Sequence, residues 1–137
     1  MAKKSGLMQV CVTCRRIDPT DTAADARPIE GQLLHDRLVE AVGKDDVLRD
    51  TLAVEPVQCM NSCQQACTVS LRSAGKYGYV IADLDKSDER VDDLLSFSRL
   101  YVASDTGAPV WRERPEHVRK NTLVRLHPSP EFPDMKD

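Results

Sequence analysis

Five cysteines in a chain of 137 residues fall into two tight groups, and any fold proposed for the chain has to account for both. The larger group is Cys59-Met60-Asn61-Ser62-Cys63-Gln64-Gln65-Ala66-Cys67. The smaller, Cys11 and Cys14, sits far away in sequence near the start. An odd number of thiols leaves one over in a pure disulfide framework. Thiols that stay reduced are the rule in the cytoplasm, where disulfides are rare. Metal binding or redox chemistry therefore suits this count better than structural bridging does. Thiolates are soft ligands, suited to iron–sulfur clusters or zinc.

Other classes fall away on composition. The chain suffices for one domain with a modest core. Its formal charge of −3 makes no global case for nucleic acid or an anionic membrane. Residues 1–12 hold only a short apolar run, interrupted by Gln9, with no secretory pattern before Cys11. No segment approaches the length of a membrane span. The expectation is a cytoplasmic protein. His35, His117 and His127 have no motif around them, and the glycines form no phosphate loop. A surface position suits His35 better than a ligand role.

The chain in order predicts a definite architecture. Residues 7–12 read as a short buried strand ending at Cys11. Arg15 to Pro28 is rich in Pro, Asp and Thr and reads as a loop. From Ile29 to Val42, Leu34, Leu38 and Val42 recur at helical spacing, with Leu33 and Val39 beside them and Gly43 as a stop. Residues 45–50 are polar and suit a short helical turn. Thr51 to Val57 reads as a second strand. Thr68 to Arg72 alternates, with Val69 and Leu71 on one face. Ser73-Ala74-Gly75-Lys76 is a hairpin turn, and Tyr77 to Ala82 returns as a strand. A last helix spans Ser87 to Ala103 on the stripe Val91, Leu94, Leu95, Ser98, Tyr101 and Val102. Strand–helix–strand implies a parallel pair, and the hairpin adds antiparallel strands. The result is a mixed four-stranded α/β sheet of thioredoxin-like architecture. Residues 1–107 form that domain. Residues 108–137, where periodicity fades, form a C-terminal extension packed on it and partly flexible.

In such a sheet the first two strands end at the same edge. Cys11 and Cys14 follow the first, and Cys59 and Cys63 follow the second. Two distant pairs of thiols are thus delivered to one site. Four thiolates are the usual protein ligand set of a [2Fe–2S] cluster. Cys-x2-4-Cys pairs are equally at home on zinc, so spacing alone does not decide between them. Cys67 stands either as an alternative ligand or as a core thiol opening the third strand.

The central cysteines, the glycine-containing hairpin after them, Tyr79 and the run Gly107-Ala108-Pro109-Val110 resemble thioredoxin-like [2Fe–2S] ferredoxins over about residues 7–110. Those ferredoxins carry Gly-Pro where this chain has Ala66-Cys67, and their first cysteine pair is usually spaced wider. Over nearly the whole chain, Cys11-Val12-Thr13-Cys14-Arg15, the triple Cys59, Cys63, Cys67, and Tyr101…Gly107…Trp111-Arg112-Glu113-Arg114-Pro115 are similar to a group of small bacterial predicted metal-binding proteins of unknown function. That group is often found beside cobalamin-synthesis genes. The resemblance implies a [2Fe–2S] cluster rather than zinc, held by Cys11, Cys14, Cys59 and Cys63. It implies a one-electron carrier, not a catalyst, working between a reductase and an acceptor enzyme, in cobalamin metabolism if the group is a guide. Homodimers occur among the ferredoxins.

Two competing readings stay beside this one. One is a zinc or other metal-binding accessory protein without electron transfer. The other is a thiol–disulfide oxidoreductase using Cys11 and Cys14, with Arg15 and Arg16 lowering a thiol pKa. It lacks a strong helix start after Cys14, since Arg15-Arg16-Ile17-Asp18-Pro19 follows. The acidic residues Asp83, Asp85, Asp88, Glu89, Asp92 and Asp93 read as a solvated helix face more readily than as a docking surface. The basic stretch around Trp111 is expected to pack that ring onto the domain.

Overall fold

A computed structural model describes residues 6–13, 29–61 and 65–128. Strand β1 (Gly6–Cys11) leads to helix α1 (Glu30–Lys44), the short helix α2 (Leu48–Thr51) and strand β2 (Leu52–Val57). Strands β3 (Val69–Arg72) and β4 (Gly78–Ile81) form the hairpin. Helix α3 (Asp88–Ala103), a 3-10 turn (Trp111–Glu113), helix α4 (Glu116–Asn121) and strand β5 (Thr122–Leu126) complete the order. No helix among the described residues is long and apolar enough to cross a membrane.

The sheet runs β2-β1-β3-β4-β5. β1 and β2 are parallel, with Gly6 opposite Leu52 and Cys11 opposite Val57. β1–β3, β3–β4 and β4–β5 are antiparallel. The class is mixed α/β with a thioredoxin-like arrangement, but the sheet has five strands where four are predicted. The added strand escapes hydropathy because it is an edge. Leu123, Val124, Arg125 and Leu126 are all exposed, so no in–out alternation marks them. Backbone pairing with β4 is what defines β5, and pairing leaves no trace in composition.

Period-2 alternation divides the sheet into two faces. Met8 and Val10 of β1 and Val69 and Leu71 of β3 are fully buried. They share a core with Leu34, Leu38 and Val42 of α1 and with Val91, Leu94 and Phe97 of α3. Each such aliphatic side chain contributes on the order of 1.5–3 kcal/mol when fully removed from water. The opposite face is polar at its centre. Gln9 Nε2 donates to Glu55 on β2 at 3.0 Å, and Gln9 Oε1 accepts from Arg72 on β3 at 3.0 Å.

The α1 stripe lies where it is predicted, apart from Val39, which is exposed. The α3 stripe gains Phe97. Its ring meets Tyr79 edge-on at 5.1 Å, and Tyr79 meets Tyr101 at 6.0 Å. Three of the described aromatics thus meet between β4 and α3. Burial pushes the Tyr101 phenol up to about 12, so it remains a donor to the Tyr77 carbonyl at 2.6 Å.

Trp111 does not pack onto the domain as expected. It is 59% exposed, and the Arg119 guanidinium lies 5.0 Å from its ring centre. Arg114 reaches the aromatic cluster instead. It sits 5.3 Å from the Tyr79 ring centre while donating to the Pro109 carbonyl from Nε and Nη2. A planar cation can stack on a ring and hydrogen-bond at its rim together. The acidic run at the start of α3 is locally paired. Asp88 bonds Arg37 of α1, and Glu89 lies 3.3 Å from Arg90, which also pairs with Asp93.

Candidate functional site

The cysteine site is built from the ends of β1 and β2. Cys11 is the last residue of β1, and Cys59 follows the end of β2 by two residues. Parallel pairing brings the two strand ends side by side, and the ladder continues one step as Val12 N–H donates to the Val57 carbonyl at 2.9 Å. Beyond that step the two loops are fastened by a side chain. The Thr13 hydroxyl donates to the Gln58 carbonyl, the residue immediately before Cys59. The Cys11 Sγ lies 3.8 Å from that same carbonyl oxygen and 3.7 Å from the Thr13 Oγ1.

Cys59 is exposed, and its Sγ accepts the Asn61 N–H at 3.3 Å. Asn61 has φ 58°, a left-handed conformation that asparagine tolerates better than most residues. The backbone thus curls around the Cys59 sulfur, and N–H···S bonds of this kind orient a ligating thiolate.

Cys67 occupies different surroundings. It is wholly buried and continues the β3–β4 ladder, donating to the Leu84 carbonyl at 2.9 Å and accepting from the Leu84 N–H at 3.1 Å. The Ala66–Cys67 peptide bond is cis. Counting back along β3, Cys67 falls in phase with Val69 and Leu71, the core-facing positions, while Thr68 falls in phase with Ser70 on the other face. Cys11 is in phase with Gln9, on that same second face. The described cysteines therefore divide into Cys11 and Cys59 at neighbouring strand ends and Cys67 opposite Leu84, although Cys11 and Cys67 are both buried within the core.

Cys14 and Cys63, with Arg15 and Arg16, lie outside the described residues. Among the described residues no group of three or more His, Cys, Asp and Glu side chains is placed to hold a metal ion. Of the predicted four-thiol set, two members are thus placed, and their chemistry fits a soft metal or an iron–sulfur cluster. The three histidines serve elsewhere. His35 contacts Asp36, His117 contacts the Ala82 carbonyl, and His127 meets the Tyr77 ring edge-on.

Sequence reasoning passes over the contact of Thr13 with Gln58 that joins the two cysteine-bearing loops. Thr13 stands inside the Cys11-Val12-Thr13-Cys14 motif, so its position is visible in the sequence. Its partner Gln58 is not, because that contact depends on the register between β1 and β2.

Comparison with protein families matches residues 8–128 to the family described as "Protein of unknown function (DUF1636)". The chain belongs to the DUF1636 family. Among solved structures, this DUF1636 protein is similar to a thioredoxin-like [2Fe–2S] ferredoxin from Aquifex aeolicus, with a TM-score of 0.56 and 18% identity over 92% of this chain and 96% of the ferredoxin. A second structure, the wild-type form of an Aquifex aeolicus thioredoxin-like [2Fe–2S] ferredoxin, gives a TM-score of 0.54 and 18% identity over 89% of this chain and 99% of that one. A cysteine-to-serine variant from the same organism gives a TM-score of 0.55 and 17% identity over 87% and 98% of the two chains. At this identity the likeness establishes the fold of the DUF1636 chain. Comparison with curated proteins finds no match.

Proposed function

We propose that this DUF1636 protein carries single electrons on a [2Fe–2S] cluster held by Cys11, Cys14, Cys59 and Cys63. The observation that carries the reading is the parallel pairing of β1 with β2, which sets Cys11 and Cys59 at adjacent strand ends. Fold likeness to thioredoxin-like [2Fe–2S] ferredoxins over nearly the whole chain supports it.

When bound, such a cluster takes up and releases one electron. The protein's part is to bind, orient and shield. The Thr13–Gln58 bond keeps the two cysteine-bearing loops at a fixed separation. The Asn61 N–H aims the Cys59 sulfur. Burial of Cys11 limits water on one side, while the exposed Cys59 gives the site an accessible edge at which a partner would dock. The partners would be a reductase that supplies one electron and an enzyme that accepts it. Cobalamin synthesis is the pathway that the sequence resemblance favours.

A second reading, zinc on the same thiols, draws on the same donor chemistry. Anaerobic purification separates the two. The expected result is brown protein with about two irons and two sulfides per chain, as a [2Fe–2S] cluster requires, whose visible absorption bleaches with dithionite. Colourless protein with stoichiometric zinc would defeat the electron-carrier reading.

A further inference from the structure

Three buried side-chain polar atoms among the described residues make no hydrogen bond: Thr68 Oγ1, Ser98 Oγ and Arg119 Nε. An unpaired buried polar atom is destabilising, so each invites an explanation. Ser98 sits in the middle of α3, and Arg119 stacks on Trp111. Thr68 is placed differently. It directly follows Cys67 and lies across the strand ladder from Cys11.

The register makes that placement definite. β1 and β3 pair with Gln9 opposite Ser70 and Val10 opposite Val69. One step further, the Cys11 N–H donates to the Thr68 carbonyl at 3.2 Å, so the ladder reaches Cys11 and Thr68 as an opposed pair. Opposed residues in an antiparallel pair share a face, with Cβ atoms roughly 5 Å apart. A hydroxyl on one and a sulfur on the other span that gap by rotation about χ1. Thr68 is 0% exposed, so no bulk water competes for its proton.

The other hydroxyl beside Cys11 is not available for the same task. Thr13 Oγ1 is 3.7 Å from the Cys11 sulfur, but its proton is given to the Gln58 carbonyl. A thiol at Cys11 can donate toward that carbonyl at 3.8 Å. A metal-bound thiolate has no proton to donate and becomes an acceptor only. Thr68 then offers a proton that no described acceptor holds.

We infer that the Thr68 hydroxyl donates a hydrogen bond to the Cys11 sulfur when that sulfur ligates the cluster, and so raises the reduction potential. The inference rests on the proposed cluster reading. Hydrogen bonds to cluster sulfurs withdraw charge and favour the electron-richer reduced form. Thr68 is in this sense a positioning and tuning residue; the electron enters and leaves without any bond to Thr68 forming or breaking.

The test uses the full chain, reconstituted anaerobically with iron and sulfide, as wild type, Thr68→Val, Thr68→Ser and Ser98→Ala. Thr68→Val keeps the shape and removes the proton. Its reduction equilibrium is expected to fall about tenfold, equivalent to about 59 mV for one electron. Thr68→Ser should restore most of this, and Ser98→Ala should leave the potential unchanged. In resonance Raman spectra, the iron–thiolate stretches of wild type should shift in D2O more than those of Thr68→Val. In the metal-free protein, Thr68→Val should melt no lower than wild type, because it removes an unpaired buried hydroxyl. A loaded Thr68→Val with wild-type potential overturns the inference and leaves the cluster reading intact. So does a metal-free Thr68→Val that is destabilised or unfolded, which marks the hydroxyl as structural. Wild type that takes up no cluster overturns both.

Discussion

Asp45 offers the most direct test of how the helical layer is fastened to the strand that delivers Cys59. It sits between α1 and α2. Its Oδ1 accepts the N–H groups of Val47 at 3.0 Å and Leu48 at 2.9 Å, satisfying donors at the start of α2. Its Oδ2 accepts Arg99 of α3 from Nε at 2.7 Å and from Nη2 at 2.5 Å. One carboxylate thus joins α2, whose end runs directly into β2, to α3. Losing a capping side chain costs about 1 kcal/mol. The two-pronged arginine pair would be worth up to about 2 kcal/mol if fully shielded, but Arg99 is half exposed, so about 1 kcal/mol is the better figure. Asp45→Ala should therefore lose about 2 kcal/mol, or roughly 8 °C in Tm for a domain of this size. Asp45→Asn keeps the cap and should lose about half of that.

The same residue predicts a pH signature. Burial alone would raise the Asp45 carboxyl, but the Leu48 N–H, Arg99 and the Val47 N–H together outweigh it and hold the pKa below the ordinary 3.8. A carboxylate with a depressed folded-state pKa contributes its full stability above the unfolded value. That contribution fades as pH falls through the folded value. Urea unfolding followed by far-UV circular dichroism should show a wild-type advantage over Asp45→Asn that is constant from neutrality to about pH 5 and shrinks below about pH 4. Other depressed carboxylates, such as Asp36 and Glu40, are common to both proteins and cancel in the difference. An Asp45→Ala variant within about 0.5 kcal/mol of wild type, the range of an ordinary surface change, would refute the assignment. So would an advantage over Asp45→Asn that persists unchanged into strong acid.

Two further predictions bear on the site and the fold. Iron and sulfide content of serine variants should fall for Cys59, whose exposed sulfur faces the Asn61 N–H, and hold for Cys67, whose buried replacement should instead cost about 1–3 kcal/mol of stability in denaturant titration. Cluster loss in Cys67→Ser with intact folding would reverse the ligand assignment. Gly107→Ala should cost more than about 2 kcal/mol, because Gly107 has φ 76° and an added Cβ would lie 2.8 Å from Lys76 Cβ and 2.9 Å from Tyr101 Cε1. Thermal melts of wild type and Gly107→Ala settle this, and equal Tm values would show that the loop after α3, where it passes Lys76 and Tyr77, yields easily.

The legible part of the fold is the part in which burial is periodic. Leu34, Leu38 and Val42 mark α1, Val91, Leu94 and Leu95 mark α3, and Val69 with Leu71 marks β3, because each element must hide one face. Phe97 escapes the stripe assigned to α3, since it fits among Tyr79 and Tyr101 only once β4 lies across the helix. Asp45 reads as one polar residue in a polar turn, and its partner Arg99 is remote in sequence. Arg114 takes the place against the aromatic cluster expected of Trp111 for a related reason: which of these two side chains reaches the domain depends on the path after Gly107.

The sequence by itself determined that two thiol groups exist, that strands precede them, and that a strand–helix–strand unit would bring their carriers to one sheet edge. Those are consequences of residue type and local period. Only the tertiary structure decided which backbone and hydroxyl groups surround them: Thr13 on the Gln58 carbonyl, Asn61 on the Cys59 sulfur, and Thr68 across from Cys11. These contacts depend on the pairing of β1 with β2 and with β3. A shift of one residue would turn every side chain of a strand to the other face, and nothing in the composition of the cysteine motifs records that register.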